Sequence, residues 1–289
     1  MNPWVESLAV LLLAAGGSFI GAWFSRLPKP CWLLGYFLPL TLVVMIDIAN
    51  RNPAFTFLPS LCGLMLGHNR FAAHAFIVTM MFTTPLSKLP KRRERVAVAF
   101  LMTCAVLGMS VWPVLAPAFN QKQLAAIVTT IDSEGVCLQS TDYTCGPAAA
   151  VTALHQLGLR ADEGELALLA HSTAVTGTPP DTLAQTIQSR YAKEGLVCEY
   201  RVFKNVAELK DRCPVLVIVK FNLILDHYVT VLAVDDRAVT VGDPLRGLEK
   251  LGIADFQENG ASSGSWSTAS KALHFTQLAL CSRHEFIAV

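Results

Sequence analysis

The chain has 289 residues, of which 53% are hydrophobic and 16% charged, with a mean hydropathy of +0.44. That is too apolar for an ordinary soluble domain. The charge divides unevenly: up to Pro117 there are nine Lys/Arg and three Asp/Glu, a net of +6, and the remainder nets −5. Two units are expected, a basic, lipid-like region over residues 1–121 and an acidic, more polar domain over 122–289. Neither carries the basic stripe interleaved with aromatics that nucleic-acid binding requires.

The first apolar segment runs from Ser7 to Phe24, and the second from Trp32 to Ala49 with Asp47 near its end. A third stretch, Phe55 to Leu86, is broken by Gly67-His68-Asn69-Arg70, and a last segment covers Val96 to about Phe119 after the basic run KRRER at 91–95. Each long run approaches the roughly 20 residues that a bilayer-spanning helix needs. Four or five transmembrane helices are therefore expected in a multi-pass protein of the inner (plasma) membrane. A cleavable signal peptide does not account for the later segments. The cluster from Lys88 to Arg95 is the strongest cytoplasmic signal, which places everything after about Asn120 on the periplasmic or extracellular face. Asp47, His68, Arg70 and His74 read as boundary residues rather than a metal site.

In the polar domain, Cys145 to Leu157 reads as a helix, with Gly146 and Pro147 in its first turn and alanines propagating it. Further helices are expected over Asp162–Ala170, Pro180–Ala192 and Val206–Leu209. The segments PVLVIVKF, HYVTVLAVD and AVTVGD then read as strands, the last two joined by a turn at Asp235, Asp236 and Arg237. Helices followed by an antiparallel sheet make an α+β arrangement. The five cysteines of this domain, Cys137, Cys145, Cys198, Cys213 and Cys281, form no paired CxxC metal pattern, and no cofactor is expected.

A cysteine at a helix start gains from unpaired N–H groups that favour thiolate, and a nearby imidazole supplies the proton for a leaving group. His155 lies about ten residues along the same helix, roughly 15 Å from its start. His171 reads as a capping or surface residue. His227 opens a strand, and the return strand ends at Asp243, so a hairpin brings the two together. Asp226 is an adjacent rival, but neighbouring side chains on a strand point opposite ways; Asn222 is another orienter by distance. Gln139, six residues before Cys145, carries a neutral amide that, with the Cys145 N–H, makes a two-donor oxyanion hole. Cys137 is near enough in sequence to pair with Cys145 under oxidation or to pack elsewhere. The segment 259–271, with Trp266, reads as a flexible surface loop.

QSTDYTCGPAA together with DHYVTVLAVDDRAVTVGDPLRG resembles the C39 family of cysteine peptidases, over about residues 133 to 289. The family has a papain-like fold and includes the leader peptidases of bacteriocin exporters, which cut after a double glycine. The resemblance implies Cys145 as nucleophile, His227 as general base, Asp243 as orienting acid and Gln139 as oxyanion donor. Thr144 stands where many members have aspartate, and the chain has no P-loop. The expected activity is hydrolysis of a peptide bond in a membrane-associated or exported peptide or protein, beside the bilayer and a possible partner membrane protein. Acyl or peptidyl transfer through the same thioester, and non-catalytic peptide binding in assembly or transport, are the alternatives.

Overall fold

A computed structural model describes residues 3–51, 69–201, 205–210, 212–220, 226–259 and 278–283. The chain divides into two compact units, Met1–Phe119 and Asn120–Val289.

The first unit is helical: α1 (Pro3–Phe24), α2 (Cys31–Arg51), α3 (Asn69–Leu86), α4 (Arg92–Val106) and the start of α5 (Trp112–Ala125). One π-helical turn, Leu107–Val111, joins α4 to α5. Pro113 lies two residues beyond it, and a proline lacks the N–H and crowds the carbonyl four residues back, which falls within the turn; a widened turn relieves both. Among the described residues two helices are long and apolar enough to cross a bilayer, Pro3–Phe24 and the continuous run Arg92–Ala125, whereas the apolar helix Cys31–Ile46 is shorter. α3 opens with Asn69, Arg70 and, one turn later, His74, which lowers its apolar character. The stretch from Phe55 to His68 and the side chain of Asp47 lie outside the described residues.

α1 turns its small residues inward and its large ones outward. Val10, Ala14, Gly17 and Gly21 are buried while Trp4, Leu8, Leu12, Phe19 and Trp23 are exposed. The two glycines let α1 lie directly on α3: a Cβ on Gly21 would stand 2.6 Å from the Met80 carbonyl oxygen, and one on Gly17 would collide with that of Phe76. Small residues four apart are what close helix packing needs where lipid removes the hydrophobic drive.

The second unit holds the last turn of α5, a two-stranded ribbon of β1 (Thr130–Ile131) and β2 (Cys137–Leu138), and helices α6 (Cys145–Gln156), α7 (Glu163–Leu169) and α8 (Pro180–Tyr191). The strands β3 (Leu196–Arg201), β4 (Val215–Lys220), β5 (Asp226–Val234), β6 (Ala238–Asp243), β7 (Gly247–Gly252) and β8 (Leu278–Arg283) form one antiparallel sheet in the order β3-β8-β4-β5-β6-β7. A short α9 (Ile253–Asn259) follows β7. The expected helices agree closely in extent, except that Val206–Leu209 is a single 3₁₀ turn.

Strand alternation sorts the core into two layers. Leu216, Ile218 and Tyr228 pack against the helices, whereas Val215, Val217, Val219, Val229, Val231, Val239 and Val241 pack with Phe256 of α9. The β5–β6 turn closes on Asp235, whose Oδ1 accepts the N–H groups of Arg237 and Ala238 at 2.8 and 2.6 Å. This hairpin carries the site.

Gly21→Ile should lower the thermal midpoint of the detergent-solubilised chain, at a cost of about 1–3 kcal/mol for overpacking, while Leu12→Ile on the exposed face should leave it unchanged. Tryptophan fluorescence reads this unit, because Trp4, Trp23, Trp32 and Trp112 lie in it and Trp266 alone does not. Equal midpoints for the two variants would refute the tight α1–α3 contact.

Candidate active site

Cys145 is the first residue of α6 and is 8% exposed. Three consecutive alanines, Ala148 to Ala150, make a strong helix with almost no side-chain volume, so the sheet can approach its backbone. The Thr230 hydroxyl of β5 donates 2.7 Å to the Ala149 carbonyl, tying the helix to that strand. At Gly146 a Cβ would stand 3.1 Å from Thr178 and 3.3 Å from both Leu183 and Tyr228. Glycine there lets the head of the helix sink into the core and carry the cysteine with it. The helix has no side-chain cap; the Thr144 hydroxyl bonds with Thr141 instead.

His227 lies one residue into β5, buried with 6% of its surface exposed, and its Nε2 meets Asp243 Oδ1 at 2.8 Å. The Thr230–Gly242 pair sets the register of the hairpin, and one step beyond it the two side chains become diagonal neighbours on one face. Asp243 is 2% exposed, and its Oδ1 also accepts the Leu245 N–H at 2.8 Å. The Cys145 sulfur neighbours the His227 ring and helps hold its proton, so thiol, imidazole and carboxylate stand together. With Nε2 on the carboxylate, Nδ1 is the ring nitrogen left for the sulfur.

The electrostatics follow from that grouping. Burial alone would favour the neutral imidazole, but hydrogen bonds to Asp243 and Cys145 and their negative charge outweigh it, and His227 is pushed up to about 9 from 6.5. Asp243 moves the other way: burial opposes its ionisation, yet the bonds to His227 and to the Leu245 N–H hold it below the usual carboxylate range.

Gln139 sits on the loop between β2 and α6. Its backbone N–H donates 2.9 Å to the Pro244 carbonyl, which joins the loop to the residue after Asp243. Its side-chain Nε2 donates 2.8 Å to the Thr141 carbonyl, leaving one amide hydrogen for another acceptor, while Oε1 is buried without a hydrogen-bond partner.

The rivals fall elsewhere. Asp226 is exposed at the start of β5, His155 is exposed near the end of α6, and His171 follows α7 with a φ of 56°. Asn222, His68 and nearly all of the 259–271 segment, including Trp266, lie outside the described residues. Cys137 is completely buried and free, its N–H bonded to the Thr152 hydroxyl at 2.9 Å. Burial first, and then the Glu163 carboxylate, push its thiol up to about 12, which makes it a packed side chain rather than a second nucleophile.

Sequence reasoning missed the residues that hold the site together. Thr230 and Tyr228 flank the strand start as ordinary sheet formers, yet one grips the Ala149 carbonyl and the other donates 3.0 Å to the Thr178 carbonyl. Glu163 looks like any acidic first-turn residue, but it is wholly buried and accepts two bonds from Ser140. No local pattern distinguishes it.

The profile of the peptidase C39 family matches residues 133–263. An uncharacterised protein of Methanothermobacter thermautotrophicus is 38% identical over 120 residues, covering 41% of this chain and 78% of that one. A second, from Methanothermobacter marburgensis, is 35% identical over 117 residues, covering 40% and 76%. Among solved structures, the peptidase domain of Streptococcus ComA, a bi-functional ABC transporter of a quorum-sensing pathway, is 19% identical with a TM-score of 0.39, covering 50% of this chain and 96% of that one. A double-glycine motif protease from an AMS/PCAT transporter, solved with its leader peptide, is 15% identical with a TM-score of 0.37, covering 53% and 96%. The matched region takes in the loop before α6, all of α6 and the β5–β6 hairpin, and through it the chain belongs to the peptidase C39 family.

Proposed function

We propose that the second unit is a cysteine endopeptidase, over about residues 122–289, and that the first, over about 1–121, is a multi-pass membrane region that holds it beside a membrane-associated or exported peptide substrate. The observation that carries the reading is the buried His227–Asp243 pair at 2.8 Å, with the Cys145 sulfur beside the same imidazole.

In this mechanism the Cys145 thiolate attacks the carbonyl carbon of the scissile bond, forming a C–S bond and moving the π electrons onto oxygen. That oxygen rests against the Cys145 N–H and the free amide hydrogen of Gln139, a hole typically worth a few kcal/mol. The His227 imidazolium gives its proton to the departing amine as the C–N bond breaks, leaving a thioester. Water, deprotonated by the now neutral His227, attacks the thioester and releases the new carboxyl end. Asp243 stays ionised throughout and keeps Nε2 engaged, so that Nδ1 faces the reaction.

The membrane role rests on α1, whose large apolar side chains face outward, and on the two helices long enough to span. The anchor presents a bilayer-held substrate or docks a partner membrane protein. With the Lys88–Arg95 cluster held in the cytoplasm, the second unit emerges on the periplasmic or extracellular face. An alkaline phosphatase fused to the C-terminus, which is active only outside the cytoplasm, should then be active; an inactive, stably made fusion would reverse the topology.

N-terminal mass spectrometry of small proteins from cells carrying the wild type or Cys145→Ala should reveal at least one new N-terminus that needs the sulfur. Identical N-terminal profiles, with unaltered cell function, would leave only peptide binding. A product bearing an acceptor amine would identify transfer.

The His227 shift also predicts a pH dependence. A group raised in the folded state contributes stability in full below its unfolded value near 6.5, and the contribution disappears as pH rises through about 9. The second unit should therefore melt at progressively lower temperature from pH about 7 to about 10, read by iodoacetamide labelling of the buried Cys137. Asp243→Asn, which removes the strongest support for the imidazolium, should flatten that slope; an equal slope would refute the pairing.

A further inference from the structure

The buried carboxylate of Glu163 has no part in the bond-making steps above, yet both of its oxygens are spent on one neighbour of the oxyanion donor. Oε1 accepts the Ser140 N–H at 2.8 Å and Oε2 the Ser140 hydroxyl at 2.7 Å. Glu163 is 0% exposed, and taking a carboxylate out of water is expensive even when it is bonded. Packing alone would be served as well by an apolar residue. Its own placement is fixed in turn: the Glu163 N–H donates 2.8 Å to the Thr129 hydroxyl, which donates 2.8 Å to Asp162, the residue that caps α7.

The preceding residue is Gln139, and its state shows why a clamp is required. Oε1 is buried with no partner, a condition that costs about 1–3 kcal/mol and that a free loop would relieve by turning the amide. The loop cannot turn, because it is pinned from two sides at consecutive residues. The Gln139 N–H is tied to Pro244 in the turn after Asp243, and Ser140 is tied to Glu163 on α7.

We propose that Glu163 is a positioning residue for the oxyanion hole: by gripping Ser140 through both carboxylate oxygens, it holds the Gln139 amide in the orientation that receives the developing negative charge. The inference rests on the peptidase reading and adds to it a residue outside the nucleophile, base and acid. It also implies a division of labour. Alkylation of Cys145 requires the sulfur and the imidazole but no oxyanion hole, whereas addition of the sulfur to a carbonyl requires all of them.

The test uses the full chain in detergent and two probes of Cys145. Iodoacetamide measures the thiol alone. Acetyl-Gly-Gly-aldehyde, with no bulky side chain beside the reacting carbon, forms a reversible hemithioacetal whose oxygen occupies the hole, and its affinity is read as protection from iodoacetamide. Glu163→Ala should weaken aldehyde protection by at least about tenfold while the alkylation rate stays within about twofold. Glu163→Gln, whose amide oxygen still accepts the Ser140 N–H, should keep the affinity within about threefold of wild type. Should Glu163→Ala fail to fold, shown by labelling of Cys137, Ser140→Ala removes one of the two bonds and should weaken protection alone. Unchanged aldehyde affinity in the folded variants overturns the inference and leaves the peptidase reading standing. A parallel loss of alkylation and aldehyde affinity also overturns it, since the role would be structural. Failure of the aldehyde to protect wild-type Cys145 removes the peptidase reading itself.

Discussion

The structure depends on how closely α6 can lie against β5. The first half of the helix after Cys145 is glycine, proline and three alanines where most core helices use leucine, and from Cys145 to Leu154 every residue is buried. Its thinness lets a strand hydroxyl, Thr230, reach a helix carbonyl at 2.7 Å, which a larger side chain in the layer between would prevent. One such bond contributes about 1 kcal/mol, but its position matters more than its strength. It fixes the height of the helix along the strand, and so the depth at which the sulfur at its head meets the imidazole near the strand's start. Gly146 does similar work at the helix head, where a Cβ would press on Thr178, Leu183 and Tyr228 at 3.1–3.3 Å.

That docking explains which features were readable from sequence. Cys145, His227 and Asp243 were legible because each is marked by a local pattern that geometry then connects: a cysteine before an alanine-rich run, a histidine opening an alternating strand, an aspartate closing the returning one. The hairpin turn was equally visible, since Asp235 caps its own turn within three residues. β3, β7 and β8 were not. The segment LEKLG of β7 is too polar to stand out, and β8 joins the sheet between β3 and β4 from the far side of the 259–271 segment, a pairing no local pattern encodes. The apolar character of the first unit was legible in composition, and so was the break at Asn69 and Arg70. The count of four or five spans was not matched: among the described residues two helices are long and apolar enough to cross a bilayer.

The same distinction separates the residues that do chemistry from those that aim them. A reacting side chain must be of a particular type, so sequence narrows the candidates to a few. A supporting side chain needs only a donor or acceptor in the right place, and many residue types offer that. Glu163 and Ser140 are 23 residues apart and meet only because α7 folds back over the loop before α6. Leu124 helps set that fold: Gly164 is held against the Leu124 carbonyl so tightly that a Cβ would stand 2.5 Å from it. The position of the Gln139 loop is thus tied to a helix terminus that contains neither Cys145 nor His227 nor Asp243.

Burial gives this arrangement its chemical character. His227 and Asp243 are both shielded from water, and desolvation opposes a charge on either one alone. Together each charge supplies the partner that the other lacks, and the Asp243 carboxylate and the nearby Cys145 sulfur strengthen the imidazole's hold on its proton. The price is a site whose charges are tolerable only as a set. Remove the carboxylate and the ring reverts toward neutrality; remove the sulfur and the imidazole loses part of the field that keeps its proton. A buried ion pair is weak support for a fold, since well-packed apolar side chains would serve stability as well. Its presence at the junction of a short-residue helix and a hairpin fits the proposed reaction better than it fits a need of the fold: the packing places the charges where water screens them little, and weakly screened charge is what would move a proton and steady an oxyanion.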